Sequence, residues 1–77
     1  MTANDVMSKR LKSIRVDNDI TQAKIAKRLS MTQTAVSRWD RQFGTMNAEQ
    51  IVTYCSIIGA NPEEIFAEYC KERKTKQ

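Results

Sequence analysis

The stretch Thr21–Asp40, TQAKIAKRLSMTQTAVSRWD, decides how the chain folds. Thr21 opens it as an N-cap, a hydroxyl placed to accept a free backbone N–H. Ile25, Ala26 and Leu29 then recur on one inward stripe of a short helix that closes at Leu29. Ser30-Met31 makes the turn, with Met31 plugging the core, and Thr32 caps a second helix. At 100° per residue, Gln33, Ser37, Arg41, Thr34 and Arg38 cover one arc of about 140°, while Ala35, Val36 and Trp39 lie opposite. The outer arc carries amides, hydroxyls and Arg, without an acid. Trp39, opposite that arc, reads as core.

Working outward, a helix is expected from Asn4 to Asn18, with Met7, Leu11, Ile14 and Asn18 on its inner face and Lys9, Arg10 and Lys12 elsewhere. Asp17-Asn18-Asp19 ends it and Ile20 tucks back into the core. Beyond Asp40, a loop from Arg41 to Met46 contains Gly44, and an exposed Phe43 there is a candidate interface residue. A fourth helix begins at Asn47, which has capping-box spacing to Gln50. Ile51, Tyr54, Cys55 and Ile58 form its inner stripe, and Gly59 suits its end. Asn61-Pro62-Glu63-Glu64 opens a fifth helix, with Ile65, Phe66 and Tyr69 as its apolar positions. Nowhere do β-branched and polar residues alternate over a useful length, so the fold is expected to be all-α with five helices. Residues 1–70 read as one domain and 71–77, KERKTKQ, as a basic, disordered tail.

Seventy-seven residues bury one modest core. Apolar residues make up 40% and charged residues 29%, which argues against disorder throughout. No apolar run reaches the roughly 18 residues of a membrane span. MTANDVMSKR has no signal-peptide character, and the protein is expected in the cytoplasm. The net charge of +4 is unevenly spread: residues 1–46 hold nine Lys/Arg and four acids, 47–70 hold four Glu and no Lys/Arg, and 71–77 hold four Lys/Arg and one Glu. One basic surface facing a polyanion is one reading and a set of solvated faces is the other. Cys55 and Cys70 match no zinc spacing, Cys55 reads as a small core residue, and no metal or cofactor is expected. With no His, no nucleophile beside a base and no phosphate-cradling glycine loop, an enzyme is not expected.

A helix entering a major groove presents short hydrogen-bonding side chains near its N-terminus and is pinned by a preceding helix on the backbone. Gln33 and Thr34 sit at that start, and Ser37 and Arg38 follow one turn later on the same face. Gln pairs bidentately with adenine and Arg with guanine. Gln22, opening the preceding helix, is placed to hold a phosphate. Singly, each of these residues is an ordinary solvent-facing side chain; the joint pattern points to DNA.

The pieces Thr21-Gln22, Ile25-Ala26, Met31, TAVSRW at Thr34–Trp39, the stripe of the fourth helix and IIGANPEEIF at Ile57–Phe66 together resemble the phage Cro and repressor family, also called the XRE family. The likeness runs from Leu11 to about Phe66. It implies a five-helix, lambda-repressor-like DNA-binding domain with its helix-turn-helix at the second and third helices, usually a symmetric dimer. By position, Gln33, Thr34, Ser37 and Arg38 would face base edges, and Thr21, Gln22, Arg41 and Thr45 would lie on phosphates. Arg15 matches the family's first-helix arginine that pairs with an acid, here Asp40. The chain departs from the pattern at Ser30, where the family usually has Gly and where a left-handed residue is then required. It departs again at Lys24, where an acid is common, and at Gly44, which comes later than the family's glycine.

The expectation is a Cro-like repressor that binds a palindromic operator as a homodimer, with Phe66 and Tyr69 at the seam. Contact with RNA polymerase through the acidic 47–70 segment is a further expectation, and neither membrane nor small molecule is. A restriction-modification controller, an antitoxin-type regulator, or a protein-interaction adaptor that retains the fold are the alternatives. No attached protease, ligand-binding or oligomerisation domain is expected.

Overall fold

Each helix begins where the sequence supplies an acceptor for its first free N–H groups. In the computed structural model, which describes residues 1–76, five α-helices and one 3₁₀ turn follow one another: α1 Ala3–Asp17, α2 Gln22–Leu29, α3 Gln33–Arg41, the 3₁₀ turn Phe43–Thr45, α4 Ala48–Ile58 and α5 Pro62–Lys76. No strand occurs among the described residues, and the fold is all-α. Thr2 and Asp5 form a reciprocal capping box at α1, and Asn47 and Gln50 form another at α4. Thr21 Oγ1 accepts Lys24 N at 3.1 Å, Thr32 Oγ1 accepts Ala35 N at 3.2 Å, and Asn61 Oδ1 accepts Glu63 N at 2.9 Å.

Three of the helix ends use left-handed residues. Ser30 takes φ 53°, ψ 44° at the end of α2, so the turn of the helix-turn-helix is built on a residue with a Cβ where glycine would be unstrained. Met31 N then donates to Ala26 O at 2.9 Å, closing α2 and setting the direction of α3. Asp19 (φ 58°) plays the same part between α1 and α2, where Ile20 N reaches back to Arg15 O at 3.0 Å. Gly59 ends α4 at φ 86°.

One core joins the helices. Met7 and Leu11 from α1, Ile25 and Ala26 from α2, Val36 and Trp39 from α3, Ile51, Tyr54, Cys55 and Ile58 from α4 and Ile65 from α5 are buried in it. Cys55 is 0% exposed, and burial pushes its thiol up to about 11. α1 packs on both α3 and α5, so α3 is braced by the first helix, which the last helix supports in turn. Asn18, expected on the inner face of α1, is exposed; its Nδ2 donates to Ile58 O at 2.7 Å and caps the end of α4.

Two expectations need correcting. Phe43 is not an exposed interface residue: it is 1% exposed, and its ring lies 5.1 Å from that of Tyr69. The 3₁₀ turn folds the loop inward and makes Phe43 and Met46 part of the core. Residues 71–76 are helical, the last turns of α5, and not a frayed tail. Lys and Arg are good helix formers and suit a helix C-terminus, which accounts for the extension. Gln77 lies outside the described residues.

Candidate nucleic-acid interface

The polar face of α3 stands out because the opposite face is locked. Val36 and Trp39 are buried, and Trp39 meets Tyr54 of α4 edge-on with centroids 6.0 Å apart. Thr32 caps the first turn, so the helix is fixed at its start and along its back. Gln33, Thr34 and Arg38 are exposed, and their side chains make no hydrogen bond or ion pair within the described residues. Their donors and acceptors are uncommitted. Ser37 is half-buried, and its Oγ accepts Arg41 Nη1 at 2.8 Å.

The side chains expected on phosphates are arranged differently, because each is already held within the chain. Thr21 is occupied as the cap of α2, Arg41 donates to Ser37, and Thr45 Oγ1 donates to Gln42 O at 2.8 Å. Gln22 Nε2 donates to Asp40 Oδ2 at 2.7 Å. Gln22, Gln33, Thr34, Ser37 and Arg41 line one groove of about 370 Å³. Thr34, Arg38 and Thr45 line a second, of about 360 Å³, together with Met31, Trp39 and Gln50 of α4. The two grooves share Thr34 and between them bring together every base-facing and phosphate-facing candidate except Thr21. Along α2 and α3 as a whole, Lys24, Lys27, Arg28, Arg38 and Arg41 are exposed and no acid is, since Asp40 is buried. Such a surface attracts a polyanion.

Asp40 lies at the edge of the polar arc of α3 and is 7% exposed. Its Oδ1 accepts Arg15 Nε at 3.3 Å and the Tyr54 hydroxyl at 2.7 Å; its Oδ2 accepts Arg15 Nη2 at 2.6 Å and Gln22 Nε2. Four donors from α1, α2 and α4 fill both oxygens. Desolvation opposes the charged form, but the hydrogen bonds from Tyr54, Gln22 and Arg15, with the charge of Arg15, outweigh it and hold the carboxyl below its ordinary value. The same carboxylate, after desolvation, pushes the Tyr54 hydroxyl well above its ordinary range. Arg15 Nη1 also donates to Ile20 O at 2.7 Å, tying the α1–α2 turn to the cluster.

The loop beside the face is held from α1. Ser8 Oγ accepts the buried Phe43 N at 2.8 Å and donates to Asn4 O at 2.7 Å, and Asn4 Oδ1 accepts Gly44 N. A Cβ on Gly44 would stand 3.0 Å from that Asn4 oxygen. Neither Asn4 nor Ser8 was flagged in the sequence; a buried serine on an otherwise apolar stripe was the available signal. Phe66 and Tyr69, the candidate seam residues, are half-buried and pack against the chain's own core, and the Arg73 guanidinium sits 5.9 Å from the Tyr69 ring centre. Among the described residues no group of three or more His, Cys, Asp or Glu side chains is placed to hold a metal ion. No described helix is long and apolar enough to cross a membrane.

A capped helix whose exposed face carries no acid, set on a bracing helix by a tight turn, defines a helix-turn-helix module whose partner is double-stranded DNA. The family model for the Cro/C1-type HTH DNA-binding domain matches residues 10–71, most of the chain, and the protein belongs to that family. No curated protein and no solved structure matches it significantly.

Proposed function

We propose that this protein is a sequence-specific regulator that represses transcription by occupying a promoter as a homodimer. The observation that carries the reading is the uncommitted trio Gln33, Thr34 and Arg38 on the braced face of α3. With Ser37 they read base edges, while Thr21, Gln22, Arg41 and Thr45 rest on phosphates. One module makes few contacts, and pairing two supplies the affinity that specific operators require. The proposed seam is α5, through the parts of Phe66 and Tyr69 that stay exposed. The two α3 helices then lie about 34 Å apart on a near-palindromic site.

Selection from a random duplex pool at low and moderate salt tests this. Two related half-sites are the expected result. Binding without a motif removes sequence specificity, and no binding at low salt leaves a protein-interaction role for the fold.

A further inference from the structure

Among the described residues, Gln22 is the one that belongs both to the groove beside α3 and to the buried cluster beneath it. A carboxylate only accepts hydrogen bonds, so the Gln22 amide must turn its nitrogen toward Asp40. That fixes the amide plane and leaves one N–H and the carbonyl oxygen for anything in the groove. How firmly Asp40 holds the amide depends on what holds Asp40. Arg15 grips both oxygens, and the remaining site on Oδ1 is filled by Tyr54. Tyr54 comes from α4, is 1% exposed and lines neither groove beside α3.

We infer that Tyr54 is a positioning residue for DNA binding: its hydroxyl anchors the Asp40 carboxylate, which in turn orients the Gln22 amide in the DNA-facing groove. The chain of bonds is short at every link, 2.7 Å from Tyr54 to Asp40 and 2.7 Å from Gln22 to Asp40. Nothing else among the described residues holds the Gln22 side chain. Without the hydroxyl, Oδ1 loses a donor and the carboxylate can swing on the Arg15 fork. The Gln22 amide then regains the rotamer freedom that the cluster had removed. The inference rests on the reading of that groove as a DNA surface.

The test is a mutant cycle on Tyr54→Phe and Gln22→Ala, read as affinity for a labelled random-sequence duplex at low salt, where phosphate contacts dominate. Phenylalanine keeps the ring against Trp39. Tyr54→Phe is expected to weaken binding by about threefold to tenfold, the size of the ordering cost of one side chain. In the Gln22→Ala background the same change is expected to have no effect. Equal losses in both backgrounds, or wild-type affinity for Tyr54→Phe, overturn the relay while leaving DNA binding intact. Absence of duplex binding by the wild type overturns both readings. A second measurement needs no variant. The Gln22 side-chain amide protons of the free protein should exchange more slowly than those of the exposed Gln33 and Gln42. Equal exchange overturns the inference.

Discussion

The guanidinium of Arg15 meets the carboxylate of Asp40 side-on, Nη2 2.6 Å from Oδ2 and Nε 3.3 Å from Oδ1, with both residues 7% exposed. The pair links α1 to the recognition helix, and neither charge has water to fall back on. Arg15→Ala is therefore expected to cost about 3–5 kcal/mol, because it strands a buried carboxylate. Urea unfolding monitored by circular dichroism reads the loss.

The same carboxylate sets an acid limit. Its folded value lies below the ordinary 3.8, so the unfolded chain takes up the proton first as pH falls. The stability it contributes is fully present above that value and is lost as pH drops through the lower folded value. The urea midpoint of the wild type should decline below about pH 4, and Asp40→Asn should flatten that decline while lowering stability near neutrality.

Ser30 holds a left-handed conformation that costs an L-residue roughly 1 kcal/mol. Ser30→Gly removes the strain at the expense of a more flexible unfolded chain, for a net gain of about 0.5 kcal/mol. The melting temperature should rise by about 2–4 °C. A fall would mean that the Ser30 side chain makes a contribution its exposed position does not suggest.

Arg38→Ala is expected to weaken binding to the selected operator by about 1–3 kcal/mol and to relax preference at one base position. Melting should be nearly unchanged, since Arg38 is exposed and unpaired within the described residues. Unchanged affinity on the best site would move the recognition face elsewhere.

Trp39→Ala empties the space between α3 and α4 and should cost about 3–5 kcal/mol. A mutant that stays fully stable yet loses DNA binding would show that the ring belongs to the interface.

Helix caps and inward stripes were legible because each is a local pattern. Thr21, Thr32 and Asn47 announce helix starts through one side chain, and Ile51, Tyr54, Cys55 and Ile58 declare a buried face by spacing alone. Ser30 was legible too, as a position where the family's glycine was missing and the geometry had to be kept. Phe43 was not, because no period covers a loop; its burial depends on Ser8 and Tyr69, distant in sequence. The Asp40 cluster was half legible. Arg15 follows from resemblance, but the roles of Gln22 and Tyr54 depend on where four helices meet. A tyrosine on an apolar stripe says only that its hydroxyl needs a partner somewhere. The sequence also picked out the polar face of α3 without indicating that Thr21, Gln22, Arg41 and Thr45 are already engaged within the chain.

The two thiols give this chain its own clock. Cys70 is exposed and open to a thiol reagent in the folded protein, whereas Cys55 is sealed in the core with its thiolate suppressed at neutral pH. Labelling at Cys55 therefore requires the whole core to open, and its rate relative to that in denaturant reports the free energy of that opening without perturbing the folded state. Cys70 supplies the internal reference within the same molecule. Followed with and without duplex DNA, the slower thiol would show how much of the binding energy is returned as stability.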